Sequence, residues 1–184
     1  MPQDTILCWK TKQTVADYQA MVKQEDRSKI SNFIRDRFTE RFISPLLGSK
    51  KNGFCTMAIC CLMIETLESF WRGWGNTRGK EQVAFYYFFG RNDNFLAFRP
   101  FSETFYKNIR CGILHQGETT GGWRILGANT EPLLNSKTIN ATKFHKELEH
   151  CLNEYCAMLE VEDWNSERWI KFRNKMDVVC KNCD

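Results

Sequence analysis

Phe105-Tyr-Lys-Asn-Ile-Arg110-Cys-Gly-Ile-Leu-His115-Gln-Gly-Glu-Thr119 is the stretch whose reading decides the fold. Phe105, Ile109, Ile113 and, one step round, Leu114 recur at helical spacing, which predicts a helix with one apolar face. Set into it are an arginine and a histidine. Arg110 keeps its charge and forks onto phosphate oxygens, whereas His115 trades a proton near neutral pH. Gly112 costs a helix about 1 kcal/mol relative to alanine, so a close backbone approach is expected there. Ser102 is placed to cap the helix, and Gly117, Gly121 and Gly122 to end it.

Working outward, Trp123–Leu126 and Leu133–Ile139 read as two extended segments, a small β-hairpin around Pro132. Asn140 then caps a helix whose stripe is Phe144, Leu148, Cys151, Leu152, Tyr155 and Leu159. A last helix is predicted over Trp164–Val179 through Trp169, Phe172, Met176 and Val179. On the other side, Arg91–Pro100 reads as a connector and Glu81–Gly90 as a short aromatic helix. Cys55–Arg72 is apolar almost all round and should be the central helix. Glu65 and Glu68 lie toward its polar end. Glu65 is expected in solvent, the alternative being a pairing with Arg110, since an unpaired buried carboxylate is costly. Val15–Ile43 is helical with a break near Gln24–Ser28 and a stripe of Ile30, Phe33, Ile34, Phe38, Phe42 and Ile43. Opposite that stripe, Lys29, Arg35, Asp36, Arg37, Glu40 and Arg41 make a solvated, alternating face, the alternative being a phosphate-facing surface. Pro45 closes the segment, a polar loop follows over Gly48–Gly53, and Met1–Thr14 is an irregular lead-in. The fold expected is all-α: a bundle of about five or six helices with room for one small β-hairpin, in a single domain 1–184 with its core at about 15–160 and a C-terminal helical extension 161–184.

The chain has 184 residues, 42% apolar and 14% aromatic, enough for a core, and a net charge of +4 suits a nucleic-acid partner. Nine cysteines, an odd number with two adjacent, do not make a disulfide framework. The thiols are read as reduced and the compartment as cytoplasmic. Phe54–Ile64 is too short an apolar run to span a bilayer, so no membrane partner is expected. Gly73–Lys80 is not a phosphate loop, because a helix precedes it and neither serine nor threonine follows Lys80. Cys180 and Cys183 have zinc-type spacing, but a tetrahedral site needs two further ligands. Cys151, Cys156, His145 and His150 are better explained by their helix, and no metal is assigned. Trp71, Trp74, Trp123, Trp164 and Trp169 suit base stacking less well than core packing.

The spacing of Arg110 and His115 is cheap by itself among 12 Arg and three His. Its placement within a helix, beside a glycine, adds weight. Arg110-Cys-Gly-Ile-Leu-His115 resembles the Arg-x4–6-His motif of the HEPN superfamily, and Tyr106–Thr119 looks like uncharacterised bacterial members. The long helix before the motif and the Phe144–Leu159 helix after it match that family's layout. The resemblance implies a homodimer with two Arg–His pairs in one cleft. It further implies a metal-independent, cofactor-free endoribonuclease acting as a bacterial toxin or anti-phage defence effector, with an antitoxin or defence-complex protein as partner. Arg110 and His115 would be catalytic, with Glu65, Cys111 and Gln116 in support. Two departures stand against the pattern: Cys111 occupies a position often held by Asn, Asp or His, and Gly117 one often held by Tyr in antitoxin-paired members. The other reading is a non-catalytic member that binds RNA, a nucleotide or a protein.

Overall fold

A computed structural model describes residues 3–48, 52–127 and 132–183. The chain is 69% helical, which bears out a mostly helical fold, but two small sheets accompany the helices where one hairpin was expected. It divides into two compact units, each assembled from separate stretches: 1–45, 69–76 and 152–184 in one, and 46–68 and 77–151 in the other.

The first unit opens with structure where an irregular lead-in was expected. β1 (Ile6–Cys8) pairs antiparallel with β2 (Gln13–Thr14), and Lys12 takes φ +58° at the turn between them. Thr14 then starts α1 (Val15–Lys23) with a reciprocal cap: its hydroxyl accepts from the Asp17 N–H while the Asp17 carboxylate accepts from the Thr14 N–H. Glu25 at φ +52° breaks the helix at the expected place, and Asp26 caps α2 (Arg27–Phe38). A wide π turn (Thr39–Ile43) and a 3-10 turn (Ser44–Leu46) close the segment. The stripe read over this segment is buried as expected except at Phe42, which is half-buried. The charged face opposite is not wholly solvated. Arg37 is buried, its guanidinium donating to the Leu7 carbonyl, and burial, then the nearby Arg41 charge, push its pKa down to about 10. The core of this unit runs through the rings of Phe38, Phe70 and Phe172, 5.6 and 5.4 Å apart in turn. α8 (Glu167–Lys181) supplies Phe172 and also buries Trp169, Met176 and Cys180; Cys180 takes the inward place expected of Val179.

In the second unit, α3 (Gly53–Arg72) contributes its residues up to Glu68 and buries Met57, Cys60, Cys61, Met63, Ile64 and Leu67. Among the described residues α3 is the helix long and apolar enough to cross a membrane, longer than the apolar run inside it, and 56% of that window is buried in the protein. The polar loop expected over Gly48–Gly53 lies partly outside the described residues. α4 (Glu81–Arg91) is the aromatic helix expected, with Phe85, Phe88 and Phe89 buried. The supposed connector after it is ordered: Asp93–Phe101 is a 3-10 helix that turns Phe95 and Phe98 inward at its three-residue period. Phe105 and Phe144 stack on each other at 5.8 Å and 12°, and Phe144 meets Phe95 and Phe98 edge to face.

The predicted hairpin is instead a three-stranded sheet. β3 (Arg124–Leu126) pairs parallel with β5 (Thr138–Asn140), which pairs antiparallel with β4 (Leu134–Asn135). The turn between β4 and β5 is at Ser136, φ +53°; the turn expected around Pro132 lies mostly outside the described residues. Asn140 caps α7 (Ala141–Val161) as expected, its side chain accepting from the Lys143 N–H at 3.1 Å. The stripe from Phe144 to Leu159 is buried throughout.

Candidate functional site

The helix carrying Arg110 and His115 is built in three parts without a break: α5 (Ser102–Phe105), a π turn (Tyr106–Arg110) and α6 (Cys111–Gln116). Ser102 is not its cap. It has helical backbone angles, and Phe101 precedes it without a capping side chain. In the π turn the Cys111 N–H reaches back five residues to the Tyr106 carbonyl. That extra residue shifts the register of everything after it. Phe105 and Ile109 are therefore buried as expected, but Ile113 is half-buried and Leu114 is 40% exposed.

The helix ends where the glycines placed the end. Gly117, at φ +70°, donates its N–H to the carbonyls of Gly112 and Ile113. The chain then folds back along the helix it has just left. Thr120 donates its N–H to the Asn108 carbonyl and its hydroxyl to the Asn108 side chain, at 3.0 and 2.7 Å. This return explains Gly112: a Cβ there would stand 2.5 Å from the Glu118 carbonyl oxygen. Gly112→Ala is accordingly expected to destabilise the protein by about 1–3 kcal/mol, as a lower urea midpoint with unchanged slope. An unchanged midpoint would show that the backbone contact does not hold in solution.

Arg110 sits in the widened turn, and its Nε donates to Glu65 Oε1 at 2.9 Å. Glu65 is therefore not in solvent; it is 7% exposed and takes the pairing that stood as the alternative. An anion so removed from water needs a cation and hydrogen bonds. Thr77 provides one more, its hydroxyl donating to Glu65 Oε2 at 3.3 Å. Burial pulls the Arg110 pKa down, but the hydrogen bond and charge of Glu65, with Cys111 and Tyr106 beside it, raise it overall. The guanidinium is thus a permanent cation aimed by a carboxylate. Its Nη nitrogens make no hydrogen bond to oxygen among the described residues.

His115 and Gln116 are exposed, and the imidazole has no hydrogen-bond partner among the described residues. Cys111 is half-buried next to the Tyr106 hydroxyl; burial, then this thiol, raise the tyrosine's pKa. Five residues of α-helix turn by about 140°, so Arg110 and His115 of one copy face different ways. Tyr106 was not foreseen. Its ring lies 5.6 Å from the Arg110 guanidinium carbon, and its position four residues before the arginine was the signal available. Nothing in the sequence marked Thr77.

A second acid on α3 is also paired. Glu68 is fully buried, and Arg91 forks onto it, Nη1 to Oε1 at 3.1 Å and Nη2 to Oε2 at 2.5 Å. None of the nine cysteines is joined in a disulfide, and no group of three or more His, Cys, Asp or Glu among the described residues is arranged to hold a metal ion. Compared with protein-family models, curated proteins and solved structures, the chain matches none of them.

Proposed function

We propose that this chain is a HEPN-type, metal-independent endoribonuclease, cytoplasmic and homodimeric, serving as a bacterial toxin or anti-phage defence effector under the control of a partner protein. One observation carries the reading: a guanidinium aimed by a buried carboxylate, with its Nη end uncommitted to any oxygen, lies five residues from an exposed, unpartnered imidazole. Because the two groups of one copy face different ways, a two-fold pairing of chains is what would bring one copy's histidine to another's arginine. In that cleft one His115 takes the proton of an RNA 2′-hydroxyl. The 2′-oxygen attacks the adjacent phosphorus, and the bond to the 5′-oxygen breaks. The second His115 gives the departing oxygen its proton, while Arg110 neutralises charge on the phosphoryl oxygens. The products are a 2′,3′-cyclic phosphate and a 5′-hydroxyl, and DNA is spared for want of the 2′-hydroxyl.

The other reading, a non-catalytic RNA- or protein-binding subunit, has its own support. Glu65 already cancels much of the Arg110 charge, and Cys111 is a weak hydrogen bonder where family members often have a strong one. Incubating the purified chain with bulk RNA in EDTA separates the two. Cleavage leaving cyclic-phosphate ends is the result expected of the enzyme; intact RNA would reject it.

A further inference from the structure

The second unit contains a cleft of about 540 Å³, within the range of roughly 300–1,000 Å³ usual for small-molecule sites. Its walls come from the start of α4 (Glu81, Gln82, Tyr86) and from the beginning of the motif helix (Ser102, Glu103, Tyr106). Neither lysine nor arginine is among its lining residues, so an anion is not what it suits. It is lined by two tyrosine rings, two carboxylates, an amide and a hydroxyl, and the Arg99 guanidinium carbon lies 5.5 Å from the Tyr86 ring centroid. That set fits a flat heteroaromatic ring whose edge carries N–H donors.

Tyr106 ties the cleft to Arg110. The guanidinium carbon is 5.6 Å from the Tyr106 ring centroid, and the ring is also a wall of the cleft. A nucleotide whose phosphate met the Nη end of Arg110 would carry its base toward that wall. Aromatic faces accept any base by stacking; carboxylates discriminate by the base edge. Guanine presents N1–H and N2–H side by side, matching both oxygens of one carboxylate, as a guanidinium does. Uracil offers one N–H between two carbonyl oxygens, which a carboxylate repels.

We infer that this cleft is a base subsite, taking the base of the nucleotide whose phosphate meets Arg110 and selecting guanine over uracil through Glu81 and Glu103. The placement of the phosphate rests on the ribonuclease reading; the choice of base rests on the cleft alone. The test is calorimetric titration of the full chain with guanosine and uridine 5′-monophosphates, beside RNA cleavage mapped on the same preparation. The guanosine nucleotide is expected to bind at least about tenfold more tightly. That preference should vanish in a Glu81→Gln, Glu103→Gln double variant, whose circular dichroism stays unchanged because Glu103 is exposed and Glu81 half-exposed. Tyr106→Ala should weaken both nucleotides alike, by about tenfold, because stacking does not distinguish them. Equal affinities, no binding of either nucleotide, or a preference that survives the double change would overturn the inference, even where RNA is cut. A guanosine preference lost in the double variant, in a protein that leaves RNA intact, would uphold the subsite and reject the nuclease.

Discussion

Replacing His115 by alanine is expected to lower RNA cleavage by about 10²–10⁴-fold, the usual worth of a general acid or base, while leaving the unfolding temperature where it was. The second half of that statement follows from its surroundings: the imidazole is exposed and makes no hydrogen bond or ion pair among the described residues. Arg110→Ala should behave differently. It too should abolish cleavage, but it strips the cation from Glu65, whose side chain is 9% exposed, and so should cost roughly 2–4 kcal/mol of stability. Arg110 is itself partly wetted, which keeps the figure below that of a wholly buried pair. The two variants thus have distinct signatures under one hypothesis, one chemical and one both chemical and structural. A His115→Ala protein that cuts RNA at the wild-type rate defeats the assignment.

Phe89→Ala should be the most damaging single truncation in the second unit, lowering the unfolding free energy by about 3–5 kcal/mol. Phe89 is fully buried on α4, and its ring lies within 6.0 Å of those of Phe85, Phe95, Phe98 and Phe105. The void should stay open, because rings packed this closely, Phe95 and Phe98 stacked on Phe89 and Phe105 edge to face with it, cannot slide without losing contact with one another. Against a total stability of about 5–15 kcal/mol, the loss should appear as a large fall in the urea midpoint. Phe89→Leu retains most of the volume and should cost much less. A truncation costing under about 1 kcal/mol would show that this cluster is not the core of its unit.

Much of the fold was legible from periodicity, because a helix states its buried face locally. The stripes of α2 and α7 appear in the sequence as they lie in the structure, as do the break at Glu25, the cap at Asn140 and the helix end at Gly117. Where local rules changed, the reading slipped. A stripe counted at 3.6 residues per turn drifts once a π turn adds a residue, which is why Leu114 was expected inside and lies outside. Asp93–Phe101 repeats every three residues through Phe95, Phe98 and Phe101, a 3-10 period that resembles a connector when helices are sought at 3.6. The parallel pairing of β3 with β5 was not legible, since strand partners are chosen by contacts distant in sequence.

The same division runs through the candidate site. By itself the sequence determined that Arg110 and His115 share one helix, that Gly112 marks a close approach, and that the helix stops at Gly117, because each depends on backbone rules acting over a few residues. Only the tertiary structure decided that Glu65, 45 residues before Arg110, turns inward to hold it, and that Glu68 is buried against Arg91, 23 residues away. A carboxylate leaves water only where a cation is brought within reach. Which cation that is depends on how the helices pack, not on the letters on either side of it.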